Sequence, residues 1–444
     1  MDISFSGRGI RLSRAEAPDV VLGLPAPTKV RLPLRQSSST PCVAVVEKGD
    51  EVKLGQLVAD GPAPVHTPIA GRVVGIEELP AADGSAVPVL VIEGDGSGGS
   101  VRYEADGIPL KRDPELLLER IRQAGIVQAG RESLPLADMI EEARSPRGHL
   151  AATGAALSRP VGHLVVRCLD VDPYLVNLAS VTAGLAKDAS ELDLALQVLL
   201  HITAAEQVHI VLGNGQQPAA VLALAAERDW SVLRVDEAVY PMAGDALVAA
   251  GASGAEPDVA WRRVDESGTL VLDIDVVLQV VAAVRDGRPV LDRVITVWRG
   301  GRVKAMRVPM GVSFADIAKA AGHDGVYGKV ILGGPLQGLA HHTTDFPLTK
   351  SIPGLTLQEQ KEVVHDRNEP CISCGLCAMA CPMRLLPGML SRYCEYGQWA
   401  DAEQAHLFTC IECGCCAYVC PAGRSMVQLM VQGKNEVLAT RRTG

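Results

Sequence analysis

Two stretches of this chain repeat one cysteine spacing. CISCGLCAMACP begins at Cys371 and CIECGCCAYVCP at Cys410. Each reads C-x2-C-x2-C-x3-C-P, and every member of the second copy lies 39 residues after its counterpart in the first. Ten of the 12 cysteines fall between Cys371 and Cys420, while Cys42 and Cys168 stand alone. A disulfide framework spreads its cysteines; clustering of this kind points to metal. Zinc sites use paired C-x2-C knuckles with four ligands per ion, which three close cysteines and a distal Cys-Pro fit poorly. A cubane iron–sulfur cluster needs four thiolates aimed at one centre. Three cysteines two residues apart can wrap one of its faces in a tight loop, with backbone N–H groups toward the sulfides. The fourth thiolate must come from elsewhere, and the proline ends the ligand loop.

This spacing resembles that of the bacterial two-cluster ferredoxins, in which the fourth cysteine of each run ligates the other cluster. Carried onto this chain, the resemblance implies two [4Fe–4S] clusters. One takes Cys371, Cys374, Cys377 and Cys420; the other takes Cys410, Cys413, Cys416 and Cys381. Crossing brings the clusters close together, which suits electron relay. Cys415 adjoins Cys416 but breaks the x2 spacing, and Cys394 lies between the repeats. Both read as buried thiols outside the ligand set, as do Cys42 and Cys168.

The rest of the chain reads as several domains, multidomain α/β and β. Residues 1–105 are rich in Val, Pro and Gly. EKGDEVKLGQLVAD and VHTPIAGRVVGIE show short alternating runs broken by glycine, as small barrels and sandwiches do, and the form resembles a biotinyl/lipoyl-type barrel-sandwich hybrid. No hairpin lysine of the kind that carries such a cofactor is evident. After a Gly/Ser linker at 94–106, a helix is predicted with Asp113 as cap, Pro114 in its first turn and Gly125 at its end. Over 110–290, strands such as GHLVVRCLD, QVHIVLGNG and SVLRVDEAVY alternate with helices such as ELDLALQVLLHITAAE, which predicts an α/β domain with a largely parallel sheet. Residues 291–350 read as a β-grasp domain: a hairpin around Gly300-Gly301, a helix capped by Ser313, and the strand KVILGG; 341–360 read as a connection. The cysteine module spans 360–432, and 433–444 read as a frayed tail.

Weaker signals lie in the α/β domain. Gly213-x-Gly215 ends a strand before a helix, where phosphate can sit on helix N–H groups; common turn chemistry is the plainer reading. Asp170 and Asp172 end a strand where α/β sheets place ligands, with a solvated turn before Pro173 as the plainer reading. Gly244 and Asp245 occupy a turn, and His341-His342 read as surface residues. The net charge of −10 argues against a general nucleic-acid binder. No run of about 18 uncharged apolar residues occurs, and MDISFSGRGIRLSR lacks the apolar core of a secretory signal. The expectation is a cytoplasmic protein that attaches to a membrane partner.

Taken whole, the chain resembles the RnfC family, the C subunits of Rnf electron-transport complexes. The resemblance rests on LPAPTKVRLPL, KGDEVKLGQLVAD, APVHTPIAGRVVGI, RVITV, ILGGPLQG and both cysteine runs, in that order. It implies a barrel-sandwich hybrid, a domain like the flavoprotein of complex I, a β-grasp domain and a two-cluster ferredoxin domain. It also implies a peripheral place on the cytoplasmic face of the inner membrane, with membrane-embedded subunits as partners, and electron exchange between NADH and ferredoxin coupled to ion transport. Members of that family hold FMN and meet NADH, and here this chain departs. The family's Gly-rich G-G-A-G-F-type loop reads GIVQAGRESLPLADMI, where Gly130 remains but Arg131, Glu132 and Ser133 should crowd the space. The E-C-E-P stretch reads LDVDP, and the residues after Y-P-Q-G-G are replaced in YPMAGDALV. No catalytic, FMN or NADH residue is therefore carried over. The expectation is a scaffold in the middle domain and a ferredoxin or separate flavoprotein as redox partner. Two other classes compete: a soluble NADH-dependent flavin/iron–sulfur reductase, similar to cobalamin reductases, and a structural zinc protein.

Overall fold

A computed structural model of the chain describes residues 2–3, 8–18, 21–81, 85–96, 99–104, 109–130, 133–144, 161–254, 268–323, 325–364, 367 and 369–443. The N-terminal β unit is a sandwich. A four-stranded sheet (Lys29–Pro33, Ala86–Gly94, Gly71–Pro80, Glu51–Val52, in that spatial order) faces a three-stranded one (Val43–Ala44, Leu57–Asp60, Val65–His66). Val30, Leu32, Leu90 and Ile92 of the first and Val58 and Val65 of the second are buried in one core. Within the expected 1–105, the strands of the unit's own two sheets run from Lys29 to Gly94. The chain before them laces other parts together. Asp2–Ile3 pairs with Arg234–Val235, Ile10–Arg11 with Val239–Tyr240, and Leu22–Gly23 with Met306–Arg307.

The helix Pro114–Ala124 forms as predicted. The Asp113 side chain accepts from the Glu115 N–H, and Gly125 closes the helix at φ 66°, where a Cβ would strain the backbone. Beyond it lies a five-stranded parallel sheet ordered Asp2–Ile3, Ser231–Val235, Gln207–Gly213, His163–Arg167, Thr269–Asp273. Thr269–Asp273 was not anticipated. Its five residues are all buried, as in parallel strands covered on both faces, so no alternation marks it. Chain order reverses between His163–Arg167 and Thr269–Asp273, and open α/β sheets bind ligands beyond the C-terminal strand ends at such a switch point.

The hairpin Asp292–Arg299/Arg302–Pro309 turns at Gly300 and Gly301, both at positive φ, and Ser313 caps the helix Phe314–Ala320 by accepting from the Asp316 N–H. The stretch 341–360 is more than a connection: Gly354–Gln358 is a strand inside a six-stranded sheet, between Lys329–Leu332 and Asp292–Arg299. Leu355 and Leu357 carry it into the core shared with the sandwich and one face of the parallel sheet.

The other face of that sheet, through Val165, Val211 and Val271, joins Leu247 and Val248 of the helix Asp245–Ser253 and then Leu390, Leu407 and Met426 of the cysteine module in one apolar cluster. The module is thus packed against the α/β unit. The tail expected at 433–444 is corrected as well: one helix runs Met426–Thr443. Val437 is buried, and Lys434 reaches back to the Cys410 carbonyl at 2.6 Å, contacts that hold the segment in place. Among the described residues no helix is long and apolar enough to cross a membrane.

Candidate metal centre

The eight repeat cysteines gather in two fours. Cys371, Cys374, Cys377 and Cys420 line one pocket of about 210 Å³, together with Ile372, Leu386, Arg392 and Arg424. Cys381, Cys410, Cys413 and Cys416, with Cys415 beside them, line a second, tighter pocket of about 20 Å³, walled by Met383, Leu385, Val427 and Met430. Of the eight cysteines in the repeat spacing, each pocket thus takes three from one repeat and its fourth from the other, and Cys415 is an additional thiol in the wall of the second. The first is the outer one: Cys371 and Cys374 are exposed, whereas all four cysteines of the second are buried.

The sequence repeat is also a backbone repeat. Gly375 and Gly414 sit at φ 78° and 82° and start the short helices Leu376–Ala380 and Cys415–Tyr418. Ser373 and Glu412 hold φ 57° and 55° without being glycine. A non-glycine residue there costs on the order of 1–3 kcal/mol and persists only where its surroundings demand it. What the strain gains is visible: the Ser373 N–H donates to Cys371 Sγ and the Glu412 N–H to Cys410 Sγ, each at 3.4 Å. Donors aimed at sulfur favour thiolate over thiol.

This donor set fits an iron–sulfur cluster. Among the described residues no three His, Cys, Asp or Glu side chains are grouped as ligands of a single metal ion. Four thiols spread around a pocket suit a many-atom cluster, where zinc would need its ligands converging on a point. In the inner pocket, burial pushes the Cys410 thiol up to about 12, against the pull of Lys434. Cys415 is fully buried, hydrogen-bonds the Cys413 sulfur, and lies 3.7 Å from the Tyr240 carbonyl. Cys394, Cys42 and Cys168 are buried away from both pockets. The inner loop is tied to the rest of the chain: the Tyr240 hydroxyl donates to the Cys413 carbonyl at 2.6 Å, and the Gly9 N–H to the Ala380 carbonyl at 3.1 Å.

The switch point of the parallel sheet is filled by the chain itself. Arg167, ending one strand, donates through Nε to Asp273 Oδ1 of the next at 2.8 Å, and through Nη1 to the Ala243 carbonyl at 3.0 Å and to Asp245. Gln128, from the loop where the family carries its glycine run, accepts from the Asp273 N–H at 3.2 Å. Arg131 and Glu132 lie outside the described residues; Ser133 is buried against Ser38. FMN, which the resemblance implies, does not fit residues packed this way. Asp170 and Asp172 are corrected from a solvated turn to buried staples. Asp170 accepts from the Leu178 N–H at 3.0 Å, and Asp172 from the N–H groups of Tyr174, Leu336 and Gln337 at 3.1, 2.8 and 3.3 Å. Neither carboxylate is left for a ribose. The Gly213-x-Gly215 turn already holds an anion, since the Gly215 N–H donates to Glu237 Oε1 at 3.0 Å. His341, expected at the surface, is buried and bonded to the Thr343 and Pro80 carbonyls. Sequence reasoning missed Arg167, Tyr240 and Arg424, because no spacing marks a residue whose partners are remote in the chain.

Comparison with known proteins agrees with this geometry. Residues 9–97 match the family described as the RnfC barrel sandwich hybrid domain. The chain is 31% identical over 428 residues to the C subunit of the proton-translocating ferredoxin:NAD(+) oxidoreductase complex of Clostridium ljungdahlii, covering 93% of this chain and 89% of that one. It is 28% identical over 432 residues to the C subunit of the Na(+)-translocating ferredoxin:NAD(+) oxidoreductase complex of Acetobacterium woodii, covering 94% and 93%. To the C subunit of the ion-translocating oxidoreductase complex of Methanosarcina acetivorans it is 27% identical over 435 residues, covering 96% and 95%. With the sandwich, the parallel sheet and the doubled cysteine module in one molecule, it belongs to the RnfC family of Rnf-type ion-translocating oxidoreductase complexes.

Proposed function

We propose that this chain is an electron-transfer subunit of a membrane-bound Rnf-type complex, relaying electrons through two [4Fe–4S] clusters while ion translocation takes place in its membrane-embedded partners. The observation that carries the proposal is the crossed set of four cysteines around each of two pockets in one packed module. Cys371, Cys374, Cys377 and Cys420 would hold the outer cluster, and Cys410, Cys413, Cys416 and Cys381 the inner one. A cluster at each place supplies a one-electron carrier. The protein's part is to orient the thiolates, aim the Ser373 and Glu412 N–H groups at sulfur, and keep water from the inner site behind Met383, Val427 and Met430.

The protein docks peripherally on the cytoplasmic face and exchanges electrons with a soluble ferredoxin or flavoprotein. The exposed Cys371 and Cys374 support an entry or exit point at the outer site. No FMN or NADH step is proposed for the chain's own residues. The Arg167–Asp273–Asp245 group occupies the switch point where such a ligand would lie, and this also counts against the NADH-dependent reductase reading. The four-part layout, with a β-grasp domain between the α/β unit and the cysteine module, belongs to the same proposal.

The test is the iron, acid-labile sulfide and flavin content of anaerobically purified protein. Roughly eight irons and eight sulfides per chain, as two cubanes require, without flavin, support the relay. Stoichiometric flavin and NADH–dye reductase activity would restore the reductase reading.

A further inference from the structure

The two pockets differ in charge. Arg392 and Arg424 stand in the wall of the outer pocket. The inner wall has no arginine; its charged residue is Glu412, paired with Lys434 at 2.7 Å. Arg424 is the deeply placed one, its side chain 6% exposed, and Nη2 holds the Glu395 carboxylate at 2.5 Å. Its Nε–H is buried and has no hydrogen-bond partner among the described residues. Buried guanidinium N–H groups are rarely left without an acceptor. Arg424 lies four residues after the outer ligand Cys420 and lines the same pocket as Cys371, Cys374 and Cys377. Sulfur, a weak acceptor that strengthens as it gains negative charge, is what that pocket offers.

We propose that Arg424 sets the reduction potential of the outer cluster, raising it by a buried positive charge and an Nε–H directed at cluster or cysteinyl sulfur, with Glu395 as its counterweight. The inference rests on the proposed cluster ligation. Its physics is that of a charge in a poorly solvated site. Reduction adds one electron to the cluster, a nearby fixed cation stabilises the more negative state, and a carboxylate paired to that cation weakens the effect. Arg424 is a positioning and tuning residue; it ligates nothing.

The experiment is a redox titration of the full chain, purified anaerobically and followed by the paramagnetic signal of each reduced cluster. The outer signal is identified as the one that Cys374→Ser alters. Arg424→Gln should move the outer midpoint to more negative potential by at least 59 mV, a tenfold change in the reduced-to-oxidised ratio for one electron, and leave the inner midpoint in place. Arg424→Lys keeps the charge, loses the Nε–H, and should fall between. Glu395→Gln should move the outer midpoint the opposite way, to more positive potential. A merely structural ion pair would shift both variants in one direction or neither, and either result overturns the proposal. If Arg424→Gln loses the outer cluster, Glu395→Gln, which retains Arg424, decides alone by the sign of its shift. Absence of the outer cluster from the wild-type protein, read from its iron content, would instead overturn the ligation beneath it.

Discussion

Arg167 and Asp273 clasp each other across the C-terminal ends of two neighbouring parallel strands, Nε to Oδ1 at 2.8 Å, with both side chains under 10% exposed. Asp245 completes the group from the first turn of its helix. Removing the cation leaves the buried Asp273 carboxyl without its partner and beside Asp275, a loss on the order of 3–5 kcal/mol for breaking such a pair. Arg167→Met should therefore lower unfolding stability by about that much, seen as a lower midpoint in urea. A variant as stable as the parent would show that the clasp contributes nothing.

Two buried groups titrate in opposite senses, which predicts stability against pH. Burial raises the Asp170 carboxyl from 3.8 to about 7, opposed chiefly by Arg14. Between these values the folded chain holds a proton that the unfolded chain has lost, so this contribution is full below about pH 4 and fades as pH rises through 7. Burial lowers Lys350, bonded to the Pro64 and Gly125 carbonyls, from 10.5 to about 7. Here the unfolded chain holds the extra proton, so stability climbs from pH 7 toward 10. The unfolding free energy, and with it the melting temperature, should pass through a minimum near neutrality, the free energy changing by about 1.4 kcal/mol per pH unit at most for each group. Asp170→Asn should make the acid arm shallower, leaving the share that the similarly raised Asp273 contributes, and Lys350→Met should flatten the alkaline arm. Comparing each variant with its parent at every pH removes the clusters' own sensitivity. Identical profiles for parent and variants would refute the assignment.

The crossing of the repeats has its own signature. Cys420→Ser should perturb the same cluster as Cys374→Ser, although Cys420 belongs to the other run, and Cys381→Ser the same cluster as Cys413→Ser. Cys415→Ala should leave both clusters in place, since Cys415, although it lines the inner pocket, breaks the x2 spacing and turns its thiol to the Cys413 sulfur and the Tyr240 carbonyl. Spectra of the four serine variants that group by run rather than by pocket would mean that each repeat holds its own cluster.

Legibility followed the range of the interaction. The doubled cysteine spacing is local in the chain, so the eight cysteines that line the two pockets stand out in the sequence. Local devices were equally plain, such as Asp113 and Ser313 at helix starts and Gly300-Gly301 in a hairpin. Thr269–Asp273 and Gly354–Gln358 escaped because short strands buried in sheet interiors carry little periodicity. Asp172 looked like a turn residue because its partners at Leu336 and Gln337 lie more than 160 residues away. No sequence pattern marks Arg424, because only the fold places Glu395 and the outer cysteines around it.

Gly433 inverts the usual glycine rule. It lies inside the helix Met426–Thr443, where Gly→Ala ordinarily stabilises by up to about 1 kcal/mol by restricting the unfolded chain. Here a Cβ would collide with Cys394 Sγ and stand 3.3 Å from Leu407 Cδ2, so the helix can approach its neighbours only without a side chain. Gly433→Ala should therefore destabilise the module, by about 1–3 kcal/mol as for other overpacked cores, and loosen the inner site through Lys434, which holds the Cys410 carbonyl. Cys394→Ala removes the obstructing sulfur, and the double variant should recover most of the loss while both clusters stay in place. Iron content and thermal melting of the four proteins read the cycle. Additive losses in the double variant would show that the sulfur is not the obstacle, and loss of a cluster from Cys394→Ala alone would return that thiol to the ligand set.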